Sequence, residues 1–239
     1  MGPITKLRIV WQEGALVAVS KPAGVASQGG DGLAGNNLVD LARAHFERAH
    51  VGVLHRLDRN VSGLVLLALD AETARTMSAQ LREHEIGRRY VAVVRGKAAA
   101  DAFELDAWLA KDEKRNQTRA AEQAELAQMP EHERRAFKQA LTRVRVLERF
   151  SAPLGQCAAL EVELVTGRSH QIRAHLGHAS LPIIGDPKYG VAARGLNRPL
   201  LHAHQLAFTA PSGQSIELRD PPPWSSAELR GLRRVERRR

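Results

Sequence analysis

Asp58 stands between Arg56 and Arg59 in the stretch Val53-Leu-His-Arg-Leu-Asp-Arg-Asn-Val-Ser-Gly-Leu-Val-Leu-Leu-Ala68. The apolar run that follows reads as a buried strand, so the aspartate is held at the mouth of a rigid element. An aspartate so flanked is expected to stay ionised, because nearby guanidinium charge favours the carboxylate. Such a group can attack carbon, accept a proton or simply hold an arginine. A structural Asp–Arg pair would use the same residues, and Arg56 and Arg59 could instead contact phosphates. Gly63, just before the apolar run, permits close backbone approach.

A second constellation is Val165-Thr-Gly-Arg-Ser-His-Gln-Ile-Arg-Ala-His-Leu176. A strand, a tight Thr-Gly turn and a helix start are expected to aim Arg168, His170 and Gln171 over the helix N-terminus. Arg173 falls a little further along the same helix. That end of a helix favours anions, and guanidinium groups suit phosphate or a carboxylate such as Asp58. A solvated helix start with surface arginines is the plainer reading. Gly185-Asp-Pro-Lys-Tyr-Gly190 describes a specific turn whose Lys188 or Tyr189 could face a ligand. Tyr90, in an Arg-Arg-Tyr context at the start of a strand, suits either core packing or a phenol with a hydrogen-bonding duty. His170, His175, His202 and His204 lack the spacing of a helical two-histidine site and an acidic third ligand, so no metal is expected.

The elements that must position these groups follow from patterning. Leu7 to Trp11 and Leu16 to Ser20 read as a hairpin, and Lys21-Pro-Ala-Gly24 ends its second strand in a turn. Gln28 to Asn37 is glycine-rich without the ending of a phosphate-binding loop, and is expected to be a flexible loop. Leu38 to Phe46 is a short amphipathic helix; Leu64 to Leu69 is a buried strand; Asp70 caps a helix running to about His84. Arg89 to Val94 carries Tyr90 as a strand. Lys111 to Lys138 is polar and charge-mixed, with helical patterning from Ala120 to Gln128 and again after Pro130, and reads as an inserted helical excursion. Strands are predicted over Leu141 to Arg149, Ala158 to Leu164, Leu200 to Phe208 and Ser215 to Leu218, with a short helix near Ser169 to Leu176. Pro221-Pro-Pro-Trp224 closes the domain. The interleaving gives an α+β fold with a mixed, mainly antiparallel sheet. The expected organisation is one domain over 1–224, containing the excursion at 111–138, then a basic tail over 225–239.

Composition narrows the partner. The 239 residues hold 35 Lys and Arg against 26 Asp and Glu, a net charge of +9, which points to a polyanion and most simply to nucleic acid. Six arginines and two glutamates lie between Ser226 and Arg239, so part of the excess belongs to the tail; the rest of the chain stays basic. No apolar run is long enough to span a bilayer, and Met1-Gly-Pro-Ile-Thr-Lys6 has no signal-peptide pattern. Cys157, as a single cysteine, excludes an internal disulfide and suits a buried small hydrophobe in a reducing cytoplasm.

In this order the segments resemble the RluA family of RNA pseudouridine synthases across nearly the whole chain. The resemblance is carried by Lys21-Pro-Ala-Gly24, His55-Arg-Leu-Asp58 with Ser62-Gly63, the Tyr90 strand, Thr166-Gly-Arg-Ser-His-Gln-Ile-Arg173, Pro182-Ile-Ile-Gly-Asp186 with Tyr189-Gly190, and Leu201-His-Ala-His204. It implies the pseudouridine synthase fold and isomerisation of uridine in structured RNA, ribosomal or transfer, without cofactor or metal and mostly as a monomer. It implies that Asp58 attacks the target uridine while the glycosidic bond breaks and the uracil is rejoined through C5. Tyr90 would stack on the base and act as general base, Arg168 would pair with the aspartate, and Arg56 would enter the RNA helix in place of the extruded nucleotide. RNA contacts are expected from Arg56, Arg59, His170, Gln171, Arg173 and Lys188. Such a reaction needs a nucleophile, a proton acceptor, a dry pocket and a base taken out of its stack.

Two departures stand out. Val61 replaces the Thr that usually precedes Ser-Gly, and the N-terminal S4 domain of some relatives is expected to be missing. RNA choice would then lie in the catalytic domain, in the excursion or in the tail. A catalytically silent RNA-binding relative would share charge and fold, but the presence of Asp58, Tyr90 and Arg168 together favours the enzyme. A metal-dependent phosphoesterase would need a ligand cluster that the sequence lacks.

Overall fold

The computed structural model of the chain describes residues 6–29 and 37–233. The glycine-rich run from Gln28 to Asn37 lies mostly outside these residues, as does the end of the Arg-rich tail. The described chain forms β1 (Ile9–Glu13), β2 (Leu16–Lys21), α1 (Leu38–Phe46), β3 (Gly52–Val53), β4 (Ser62–Ala68) and α2 (Ala71–Arg82). Next come β5 (Gly87–Arg95), β6 (Ala102–Asp112), β7 (Gln117–Ala121), α3 (Gln123–Ala127), α4 (Glu131–Arg134), β8 (Lys138–Ala152) and β9 (Gly155–Leu164). Last are α5 (Gln171–His178), β10 (Leu201–Thr209), β11 (Ser215–Arg219) and α6 (Ser226–Arg230). Two compact units result: the chain up to Arg89 with His202–Pro222, and Tyr90–Leu201 with the residues from Pro223 on. The chain passes from one to the other inside β5, returns inside β10 and leaves again after Pro222.

In the first unit β4 is the central strand, and every one of its residues is buried. An unbroken apolar run with no polar alternation is what a strand covered on both faces requires. β2 pairs antiparallel with it along its whole length, from Leu16 opposite Ala68 to Lys21 opposite Gly63. The other edge of β4 is shared. β3 pairs antiparallel near its end, and β10 pairs parallel at its beginning, Ser62 opposite His202 and Gly63 opposite Ala203. β1 flanks β2 and β11 flanks β10, both antiparallel. Asp70 caps α2 by accepting from the Thr73 amide, as its sequence position predicts. The helix sets Met77 against Leu64, Leu66, Leu206 and Phe208.

The second unit is antiparallel in its long strands: β9 pairs with β8, β8 with β6, and β6 with β7. The excursion predicted to be helical over 111–138 starts as β structure. The end of β6 and all of β7 form a hairpin, Asp112 opposite Gln117, and only then come the two short helices α3 and α4. Their apolar residue Leu126 packs with Phe137 and Ala121 rather than standing off the surface. The charged, alternating composition of β6 concealed a strand whose one face meets water.

The described part of the tail, residues 225–233, is likewise folded. Ser225 and Glu228 form a capping box that starts α6, and Leu229 and Leu232 are buried against Val93, Phe150, Leu154 and Leu200. The Leu154 amide donates to Leu232 O at 2.9 Å, and the Arg194 amide to Arg233 O at 2.9 Å. Residues 225–233 therefore complete the core of the second unit. Replacing Leu232 by Ala should lower the unfolding free energy by about 2–5 kcal/mol in urea titration, whereas Arg233→Ala, at an exposed position, should change it by less than about 0.5 kcal/mol.

Candidate active site

Asp58 sits at the tip of a hairpin. The chain runs along β4 through β3, Leu54 and His55, turns through residues 56–61, and comes back as β4. The Leu54 amide donates to Leu66 O at 3.0 Å, and the Leu66 amide donates to His55 Nε2 at 3.2 Å. His55 is buried, and burial together with the Arg88 charge pulls its pKa down to about 3. The ring is therefore neutral at ordinary pH, with Nε2 free to accept and extend the pairing of β4 by one bond.

The loop itself is fastened on several sides. Ser27 clasps Leu57, its hydroxyl donating to Leu57 O at 2.8 Å and accepting from Leu57 N at 3.0 Å. Gly24 and Arg59 exchange two bonds: the Gly24 amide donates to Arg59 O at 2.8 Å, and Arg59 Nε donates to Gly24 O at 3.0 Å. Inside the loop, the Val61 amide donates to Asp58 O at 3.0 Å. Asp58 itself is half-buried, while Arg56 and Arg59 are exposed. The Val61 side chain is buried.

Lys21, the last residue of β2, lies at the centre of this arrangement. It is fully buried. Its ammonium donates to Val25 O at 2.8 Å, Pro22 O at 3.1 Å and Arg59 O at 3.3 Å. Burial lowers its pKa to about 7, and the negative charge of Asp58 works against that fall. Three carbonyls and a neighbouring carboxylate are what an ammonium needs to leave water. The signal available in the sequence was a lysine ending an apolar strand, directly ahead of Pro-Ala-Gly.

Gly63 locks the base of the loop. Its φ is +119°, and a Cβ there would lie 2.2 Å from Ala203 O, so only glycine lets β4 and β10 meet.

In the second unit, the Thr166–Arg173 segment is built around Gln171. Its Oε1 accepts from Thr166 Oγ1 and from Arg168 N, both at 2.9 Å, and its Nε2 donates to Leu141 O at 3.0 Å and Thr142 Oγ1 at 2.9 Å. All four hydrogen-bonding positions of the amide are thus used inside the protein. Arg173 is buried too, forming a two-pronged ion pair with Asp186 at 2.7 and 2.8 Å and lying 4.9 Å from the Tyr189 ring centre. Gln171 and Arg173, expected to contact RNA, are both buried and make these bonds within the protein. They brace the turn that carries Arg168 and the loop that carries Lys188. Two further residues of this region are joined by their side chains: His170 Nδ1 is 2.7 Å from the Tyr189 hydroxyl, which accepts from Thr118 N.

The remaining expected residues are placed as follows. Arg168 is exposed, with Nε 3.4 Å from Gln139 O; Lys188 is exposed, with Nζ donating to Asn116 O. His170 is half-buried with φ +52°, and Tyr90 is buried as the first residue of the second unit. Asp58 belongs to the first unit, and Arg168 to the second. No described helix is long and apolar enough to cross a membrane.

Over residues 15–178 the chain matches the family described as RNA pseudouridylate synthase. It is 34% identical over 231 residues to the tRNA pseudouridine synthase C of Haemophilus ducreyi, with 86% of each chain covered. It is 32% identical over 232 residues to the uncharacterized RNA pseudouridine synthase YlyB of Bacillus subtilis, covering 93% of this chain and 71% of that one. With the ribosomal large subunit pseudouridine synthase C of Vibrio vulnificus the identity is 31% over 221 residues, covering 89% and 65%. Among solved structures, human RNA pseudouridylate synthase domain containing 1 matches with a TM-score of 0.78 at 22% identity, covering 100% of this chain and 93% of that one. At that identity the likeness concerns the fold.

The brace around Arg173 makes a direct prediction. Arg173→Ala leaves Asp186 buried without its counter-charge and should lower stability by about 3–5 kcal/mol, while Arg168→Ala should change it by less than about 0.5 kcal/mol. Burial pushes the Asp186 carboxyl upward, but the Arg173 bonds and charge outweigh it and hold its pKa below the usual value. Its contribution should therefore be complete at neutral pH and fade only as acid brings the pH down through that lowered pKa, which urea titrations at several pH values can follow.

Proposed function

Since the chain belongs to the RNA pseudouridylate synthase family, we propose that it isomerises particular uridines of ribosomal or transfer RNA with Asp58 as the nucleophile. The family membership makes it an RNA pseudouridine synthase, an isomerase. Its reaction breaks the bond from the ribose C1′ to N1 of uracil, turns the base and joins C1′ to C5. The C5 proton leaves and N1 gains one, so no atom or electron is supplied from outside. Two of the named relatives act on transfer RNA and on the large ribosomal subunit, and these are the two substrate classes proposed here.

The observation that carries the assignment of Asp58 is the construction around it. A half-buried carboxylate stands on a loop fastened by Ser27, Gly24 and a buried ammonium, at the mouth of the most buried strand of its unit. A nucleophile that must meet one carbon of a large substrate gains from such fixing, because misplacement by about 1 Å can slow a reaction about a hundredfold. Tyr90 is proposed to stack on the uracil and accept the C5 proton, and Arg168 to serve as the guanidinium partner of the carboxylate. Arg56, Arg59, His170 and Lys188 are proposed to contact RNA, with the extruded base replaced in its stack by Arg56. The working enzyme is proposed to be a monomer acting in the cytoplasm without metal or cofactor.

Incubation of the protein with unmodified ribosomal and transfer RNA, followed by nucleoside chromatography, should reveal pseudouridine. Asp58→Asn should slow its formation at least about a thousandfold while RNA affinity stays within about twofold. Full activity in that variant would remove the nucleophile from the reading. RNA affinity should also fall steeply with salt, and Arg56→Gln should reduce the slope of log affinity against log salt by about one.

A further inference from the structure

We infer that Ser62, His202 and Asp220 form a positioning relay that sets the stance of the Asp58 loop and so governs the chemical step rather than RNA binding. The inference rests on the proposed role of Asp58. Ser62 opens β4, four residues after Asp58, and its Oγ lies 2.9 Å from His202 Nδ1 on β10. His202 Nε2 lies 3.0 Å from Asp220 O and 3.4 Å from Asp220 Oδ2, just past the end of β11. Asp220 in turn accepts from Ser20 Oγ at 2.6 Å on β2, and Arg8 stands 3.0 Å from its other oxygen. Ser62, His202 and Asp220 are 4%, 2% and 1% exposed.

The proton positions follow from the partners. Both groups facing Nε2 are acceptors, so the ring carries a proton there. In the neutral ring Nδ1 then accepts, and the Ser62 hydroxyl donates to it. Although a serine, a histidine and an aspartate are joined in a row, the sense is the reverse of a hydrolase triad, in which the serine meets Nε2 and the aspartate meets Nδ1. Burial keeps substrate from this serine, so the row acts through the backbone it holds.

What it holds is a short joint. The parallel pairing of β4 with β10 consists of Ser62 with His202 and Gly63 with Ala203, and it lies where the Asp58 loop enters the sheet. At Gly63 the two backbones approach so closely that a Cβ is excluded. The relay adds a side-chain bond across that joint and anchors it to Ser20 and Asp220, tying β2, β4, β10 and the end of β11 into one frame.

The test uses the full chain and an RNA in which it forms pseudouridine. Single-turnover rate at saturating RNA, RNA dissociation constant and melting temperature are measured for Ser62→Ala, His202→Leu, His202→Asn and the Ser62→Ala/His202→Leu double variant. Ser62→Ala should slow the step about 10- to 100-fold with RNA affinity within about twofold. The double variant should be no slower than the slower single, because both remove one interaction. His202→Asn places an amide oxygen where Nδ1 was and should regain part of the rate lost in His202→Leu. Ser62→Ala is the smallest change, and it decides the matter if His202→Leu fails to fold. A Ser62→Ala rate within about twofold of the parent, with Asp58→Asn inactive in the same assay, would overturn the relay alone. A rate loss matched by an equal loss of RNA affinity would overturn it as well. Full activity in Asp58→Asn would overturn both the relay and the reading beneath it.

Discussion

A lysine with no exposed surface imposes the strongest local demand in the first unit. The Lys21 ammonium can stay out of water only while Val25, Pro22 and Arg59 turn their carbonyls toward it and Asp58 keeps its negative charge nearby. Each requirement fixes a different piece of chain. The carbonyls of residues 22 and 25 set the turn after β2, and that of residue 59 sets the loop after Asp58. Because Lys21 also pairs with Gly63 across the sheet, the same residue sets the register of the strand that the loop enters. The lysine and the aspartate thus hold each other in place, although they lie 37 positions apart in sequence. Unfolding releases Lys21 to its ordinary pKa, so between about pH 7 and 10 the unfolded chain binds more protons and this residue makes the fold firmer as pH rises.

The second unit solves a similar problem with an amide and an ion pair. Gln171 fills its whole hydrogen-bonding capacity within the Thr166 turn and β8, leaving Arg168 outside with only its backbone engaged by that amide. Asp186 accepts the Arg173 guanidinium and also the amides of Lys188 and Tyr189, which fixes the following turn. In both units, polar groups that are mobile on a surface are rigid here because leaving any of them unpaired in the interior would cost about 1–3 kcal/mol.

Much of this was legible in the residues. The hairpin at the N-terminus, α1, the capped α2, the buried β4 and the late strands follow from apolar periodicity and capping, and the motif order pointed to the family that the chain matches. What was not legible depended on contacts between distant segments. A short range of sequence shows that Gln171 and Arg173 are polar, but whether they face inward depends on β8 and on Asp186. Lys21 looked like an ordinary turn residue for the same reason. The strand β6 was hidden by its charged outer face, and the packing of Leu229 and Leu232 was hidden by the arginines around them in sequence. The partnership of Ser62 with His202 spans 140 positions and has no local signature.

The order in which the chain visits its two units bears on how it can be made. The first unit needs His202–Pro222 for β10 and β11, and the second needs Leu229 and Leu232 to close its core. A polypeptide emerging from the ribosome therefore cannot finish either unit until nearly all 232 residues through Leu232 have left the exit tunnel. Until those segments emerge, nascent chains stay incomplete in both units, and fragments stopped before that point carry open apolar surface for proteases and chaperones to find.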